Sequence, residues 1–188
     1  RDLSTATARC RRLLDLDADP EAIVDALSTD ENLAPLIAKA PGQRIPRTVD
    51  EHELAVRVVL GQQVSMAAAR THAGRIVRAY GQPVDDPEGG LTHVFPSVQQ
   101  IADMDHRHLA FPTARQRSLG ALVTALGDGT VSLDPGCDWN VAREQLLALP
   151  GIGPWTAEMI AMRGLGDPDA FPATDLGIRM AAEAVELP

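Results

Sequence analysis

Helix starts and stops recur along the whole chain, and no pair of β-rich runs is joined by a hairpin signal such as Asn-Gly. That punctuation constrains the fold more than any other feature, and it points to an all-α protein. Ser4 is placed to cap a helix running to about Asp17, and Asp19-Pro20 gives a cap and a preorganised first turn for Glu21–Leu27. A short helix over Asn32–Ala40 stops at Pro41-Gly42. Thr48 followed by acids then leads into the apolar run Leu54–Leu60, with a break at Gly61-Gln62-Gln63. Ser65 caps the next helix, which reaches Tyr80, and Gly81 is expected to end it in a left-handed conformation. Gln82–Phe95 reads as a loop, marked by Pro83, Pro87 and Gly89-Gly90. Short helices are expected from Ser97 and from Asp105, and a longer one over Thr113–Gly127. From Asp138 a helix runs through Leu149, then come a turn, a helix over Pro154–Arg163, the loop Gly164–Thr174 and a last helix from Asp175.

At 188 residues the chain suits one domain, or two small lobes around a cleft. Charged or polar residues interrupt every apolar run well short of the roughly 18 residues a membrane span needs, so no membrane is expected. Two cysteines, Cys10 and Cys137, are too few for a disulfide framework or a zinc site, which suits a reducing, cytoplasmic setting. The formal net charge of -9 opposes a polyanion at long range. Its distribution is uneven: Gln62–Gln82 holds Arg70, Arg75 and Arg78 with no acid, and His106–Gly127 holds Arg107, Arg115 and Arg117 with none. Each stretch reads equally well as a basic surface or as a solvated helix face.

The most informative segment is the turn in Leu146-Leu-Ala-Leu-Pro-Gly-Ile-Gly-Pro-Trp-Thr-Ala-Glu-Met-Ile. Gly151 and Gly153 lack a Cβ, so a phosphate or another backbone can approach closely, while Ile152 points back into the helix pair. The N–H groups that open the helix at Pro154 form an anion site with the positive end of a helix dipole behind it. Main-chain amides can thereby hold a nucleic-acid strand on an acidic protein.

Leu149-Pro-Gly-Ile-Gly-Pro-Trp-Thr-Ala resembles the helix-hairpin-helix motif. The following Gly164-Leu-Gly-Asp-Pro-Asp-Ala-Phe-Pro-Ala-Thr-Asp175 resembles the Gly/Pro-rich loop ending in aspartate of the DNA glycosylase superfamily that bears the motif's name. Val58-Val-Leu-Gly-Gln-Gln-Val-Ser-Met-Ala-Ala-Ala and Arg12-Leu-Leu-Asp-Leu-Asp-Ala-Asp-Pro are similar to segments of DNA-3-methyladenine glycosylase II, the alkylation-repair branch. The resemblance implies a two-lobed domain, with one lobe over roughly 31–165 and the other over roughly 1–30 plus 166–188. It also implies a monomer acting on double-stranded DNA with damaged bases, associated with the nucleoid. The reaction implied is hydrolysis of the N-glycosidic bond of alkylated, 3-methyladenine-type bases in base excision repair.

Particular residues follow from the resemblance. Asp175 takes the catalytic position; a carboxylate there can stabilise an oxocarbenium-like sugar or orient water, and the same residue also reads as a plain N-cap for 176–184. Trp155 stands where lyase relatives carry a Schiff-base lysine, and the sole lysine, Lys39, is far away in sequence, so no lyase chemistry is expected. Trp155 and Met159 line the implied base pocket, where an indole face suits a cationic purine. Gln63 takes the wedge position, with Gln62 as a second wedge residue; Gln62 and Ser65 also read as ordinary break-and-cap residues. Gly151, Gly153 and Thr156 are expected at the DNA backbone. The resemblance further implies a monovalent cation on the carbonyls of Leu147, Leu149 and Ile152, and no other cofactor; two cysteines cannot hold an iron–sulfur cluster.

Several residues read as structural. Trp139, Tyr80 and the phenylalanines are assigned to packing, the five histidines to the surface, and Asp167 and Asp169 to turn chemistry. The family pattern begins with a β-rich domain and continues past the aspartate, whereas this sequence ends at Pro188, so an incomplete pocket wall and fusion to another alkylation-response domain are expected. The alternatives are a non-catalytic helix-hairpin-helix DNA-binding module, and an all-α protein-interaction domain with an incidental hairpin.

Overall fold

The computed structural model describes residues 3–86, 88–104 and 112–185. It is mostly helical: α1 (Leu3–Leu13), α2 (Pro20–Leu27), α3 (Ala34–Lys39), α4 (Glu51–Gly61), α5 (Met66–Tyr80), α6 (Val98–Ala102), α7 (Thr113–Gly127), α8 (Trp139–Leu147), α9 (Pro154–Ile160) and α10 (Leu176–Ala184). The chain divides into two compact units, residues 1–49 with 173–188, and residues 50–172. The expected helix from Asp105, with Arg107, His106 and His108, lies outside the described residues, as does Pro87.

The unit of residues 50–172 holds the apolar core. Val56, Val59 and Leu60 of α4 meet Leu119, Leu122 and Val123 of α7, with Leu146 of α8 and Ile160 of α9, all essentially inaccessible to solvent. Burying each such side chain contributes about 1.5–3 kcal/mol. Caps fix where these helices begin. Ser65 Oγ accepts from Ala68 N, and Ser97 and Gln100 form a capping box. Asp50, not Thr48, caps α4, accepting from Glu53 N at 2.8 Å and leaving Glu51 and Glu53 in the first turn, where the dipole favours them.

Two sequence expectations fail here for steric reasons. Gly81 is extended, with φ −70° and ψ 151°. Glycine is needed because a Cβ would lie 2.5 Å from the carbonyl oxygens of Val77 and Val94, not because the backbone turns left-handed. That close approach exists because the 82–95 loop folds back as a two-residue antiparallel ladder, β1 (Gln82–Pro83) with β2 (His93–Val94), too short to carry any strand periodicity. Arg57, paired with Glu53 one turn earlier, stacks 4.9 Å over the Phe95 ring beside it. Two aromatic assignments are also corrected. Trp139 opens α8 at the outer end of the row through Ala142 and Leu146 and stays 40 % exposed, and Phe171 is 61 % exposed on its loop. Tyr80 packs on the core as expected.

In the unit of 1–49 with 173–188, no residue of its four helices is buried. Arginines and main-chain carbonyls hold it instead. Arg44 Nη1 donates to the carbonyls of Asp15 and Ala18, Arg12 Nη2 to Val49 O at 3.1 Å, and Arg47 N to Leu13 O at 2.9 Å. α1 stops at Leu13 rather than Asp17 because Asp15 takes φ 52° and Leu16 N turns back to Arg11 O. The following α2 is capped by Asp19, as expected. Asp30 ties down Asn32 N and Leu33 N, which delays α3 to Ala34.

Candidate nucleic-acid interface

The hairpin is built as its sequence requires. Asp138 Oδ1 accepts from Asn140 N and Val141 N to start α8. The helix ends at Leu147, two residues short of expectation, because Leu149 precedes a proline and leaves the helical region while its N–H closes on Leu146 O at 3.0 Å. Ile152 N then donates to Leu149 O at 3.2 Å, its side chain buries in the core, and Pro154 opens α9.

The two hairpin glycines serve different ends. At Gly153 a Cβ would meet nothing within 4 Å, so that position opens outward. At Gly151 the backbone is left-handed, φ 80°, and a Cβ would fall 1.9 Å from Ser118 Oγ. Its empty side is filled by α7, so Gly151 serves the protein's own packing there. Thr156 is likewise turned inward: it is 3 % exposed, and its hydroxyl accepts from Gln62 Nε2 at 2.9 Å. The threonine side chain is an internal partner.

Gln62 and Gln63, expected as a wedge pair, separate. Gln62 Nε2 also donates to Gly151 O at 3.0 Å, and Arg115 Nη2 donates to Gln62 O at 2.7 Å. Gln63 is exposed with φ 53°, the left-handed region that non-glycine residues seldom adopt. Arg115, read as part of a basic surface, is thereby an internal strut. Arg70, Arg75 and Arg78 on α5 are exposed. His72 on the same helix is half-buried, and burial first, then Arg115 and Arg75, lowers its pKa from the ordinary histidine value.

Trp155 and Met159 are half-buried on α9 and pack against the core. Leu147 is 43 % exposed, Leu149 is partly buried and Ile152 is buried. Among the described residues no group of three or more His, Cys, Asp and Glu could hold a metal ion.

A network that sequence reasoning missed ties the hairpin to the loop beyond it. Arg143 on α8 donates through Nε to Glu158 Oε1 at 2.7 Å and through Nη2 to Asp167 Oδ2 at 2.5 Å. Glu158 Oε2 accepts from Phe171 N at 3.1 Å, and Asp167 Oδ1 from Asp169 N at 2.9 Å. Asp167 foremost, with Glu158 assisting, raises the Arg143 pKa above its ordinary value against the effect of burial. Asp167 was legible as a turn residue; its ion pair across 24 residues was not. Arg143→Met leaves Glu158 and the buried Asp167 without their shared cation. The expected loss is about 3 kcal/mol, measured as a fall of the denaturation midpoint. An unchanged midpoint would show that the network contributes nothing to stability.

Between α9 and that loop, Ala161–Leu165 forms one π turn, with Gly166 N donating to Ala161 O at 2.9 Å; Gly166 closes it at φ 78°. In the other unit, Asp175 caps α10. Its Oδ1 accepts from Gly177 N at 2.8 Å and from Ile178 N at 3.1 Å, and the residue is half-buried. A Cβ on residue 177 would press to 3.1 Å from the same oxygen.

Comparison with known proteins agrees with the motifs. Residues 1–50 match the family model of the AlkA N-terminal domain. Over all 188 residues the chain is 69 % identical to a probable bifunctional transcriptional activator/DNA repair enzyme AlkA of Mycobacterium tuberculosis, spanning 38 % of that protein. It is 36 % identical over 176 residues to DNA-3-methyladenine glycosylase 2 of Escherichia coli, covering 92 % of this chain and 59 % of the relative. The chain is thus similar to AlkA-type DNA-3-methyladenine glycosylases over most of its own length, and it spans less than two thirds of theirs. Its fold matches that of the 3-methyladenine DNA glycosylase from Archaeoglobus fulgidus with a TM-score of 0.80 at 23 % identity, over 98 % of this chain and 63 % of the other. The architecture is mostly α-helical, with the hairpin between α8 and α9. No helix among the described residues is long and apolar enough to cross a membrane.

Proposed function

We propose that the chain carries the base-excising part of a monofunctional DNA glycosylase for alkylated bases. A base inside a duplex is out of reach of any side chain, so the nucleotide is flipped. Gln63, exposed on its left-handed turn, fills the vacated stack, and the outward Gly153 with the start of α9 meets the strand. A monovalent cation on the carbonyls of Leu147, Leu149 and Ile152 would add positive charge facing a phosphate. Trp155 offers its indole face to the cationic purine, with Met159 beside it.

The chemical step is cleavage of the C1′–N bond. Its electron pair leaves with the base, which departs neutral if it was cationic, and water adds to C1′ and gives up a proton. Asp175 stabilises the positive charge that develops on the sugar or orients that water. With tryptophan at position 155 and the one lysine at the end of α3, no amine is offered to the sugar, so the product is an abasic site and not an imine. The observation that carries the reading is the aspartate itself. It is held at a helix start by two amides, directly after the loop that follows the hairpin. The chain is read as a monomer acting at the nucleoid.

Duplex DNA methylated at purines tests this. Free alkylated purines and alkali-labile sites are expected, without strand cleavage before alkali and without a borohydride-trapped adduct. Duplex binding without base release would assign the chain instead as a DNA-binding module. A trapped adduct would refute the hydrolytic mechanism.

A further inference from the structure

We infer that Gln62 is a positioning residue that locks the Gln63 turn to the hairpin, so that gripping the strand and entering the base stack occur as one rigid movement. The inference rests on the reading of Gln63 as the residue that fills the stack. Four hydrogen bonds hold Gln62. Its main-chain N donates to Val59 O at 3.3 Å, its carbonyl accepts from Arg115, and its carboxamide nitrogen reaches both Gly151 O and Thr156 Oγ1. A carbonyl oxygen only accepts, so the nitrogen must face Gly151. Both amide hydrogens are then used across 89 and 94 residues of sequence.

The acceptors are themselves fixed. Thr156 is buried in α9, and Gly151 sits against Ser118, so neither can follow a drifting turn. The residue immediately after this clamp is Gln63, in a conformation that disfavours an L side chain by about 1–2 kcal/mol. Left to itself, a four-residue break between two helices would relax away from that conformation. The clamp supplies the restraint that keeps Gln63 presented. Sequence reading took Gln62 as a second wedge residue; with its amide hydrogens and carbonyl all engaged inward, its role is to hold the wedge.

The test compares two duplexes carrying 7-methylguanine, one with cytosine opposite and one with an abasic analogue opposite, where little pairing has to be broken. For Gln62→Ala, single-turnover release from the paired duplex should fall about tenfold or more. Release from the unpaired one should stay within about threefold, and affinity for undamaged duplex should stay near wild type. Thr156→Val, which keeps shape and removes one bond, should lose less in the same pattern. Combining Gln62→Ala with Gln63→Ala should add little to either, because both act on one event.

Equal losses on both duplexes, or additive losses, would overturn the inference. A wild-type chain that releases no base from either duplex would reject the glycosylase reading, and the clamp is then decided by hydrogen exchange. Plain duplex should protect the amides of residues 61–64 in the wild type and not in Gln62→Ala. Equal protection in both, or none in the wild type, overturns the clamp as well.

Discussion

Asp175→Asn should reduce release of alkylated purines by about 10²–10³-fold or more while binding to abasic-analogue duplex is retained. The substitution is informative because asparagine is as good an N-cap as aspartate. Its side-chain oxygen can keep both bonds, from Gly177 N and Ile178 N, so α10 starts where it did and only the negative charge is lost. Asp175→Ala removes the cap too and should lower stability by about 1 kcal/mol besides. The pair separates the two roles: a melting temperature that falls only in the alanine variant reports the cap, and base release lost in both reports the charge. Release by the asparagine variant at the wild-type rate would leave Asp175 as a cap and nothing more.

The second large effect belongs to Gly151→Ala. An alanine at φ 80° carries a backbone penalty of about 1–2 kcal/mol, and its Cβ would overlap Ser118 Oγ at 1.9 Å. Overpacking against the buried Ser118 adds about 1–3 kcal/mol. A combined loss near 3 kcal/mol corresponds to a melting temperature lower by about 6–12 °C for a chain of this size. Ser118→Ala in the same background removes the hydroxyl but leaves a Cβ 3.0 Å away, so it should return part of the loss and not all of it. Full stability in Gly151→Ala would mean that the hairpin turn is not set by this contact. The corresponding change at Gly153, where a Cβ meets nothing, should cost far less stability and weaken duplex binding instead.

What could be read from the chain alone was whatever is decided locally. The caps at Asp19, Ser65, Ser97, Asp138 and Asp175 depend on a side chain and the next few amides, and each is found in place. The hairpin turn was legible for the same reason: Pro150 and Pro154 restrict their own backbone, and glycine at 151 permits the positive φ between them. Long-range partnerships were not legible. Nothing near Gln62 announces that its amide reaches Gly151, and nothing near Arg143 announces Asp167, since a charged or polar side chain has the same sequence signature whether it is solvated or engaged. Gly81 illustrates an intermediate case. Glycine at a helix end predicts left-handed backbone, but the residue is required by a carbonyl arriving from a strand thirteen residues on. Thr156 reverses the usual expectation, a hydroxyl in a first helical turn that faces inward because a glutamine is waiting for it.

The single π turn at Ala161–Leu165 has a consequence for how such a chain can vary. Compared with an α turn it accommodates one surplus residue, and each residue added or removed in a helix rotates everything downstream by about 100°. Deleting one position there would restore regular winding and swing the segment that follows to a different azimuth. Insertions and deletions are therefore poorly tolerated in this stretch, whose length decides whether Asp167 and Ala170 keep their buried places.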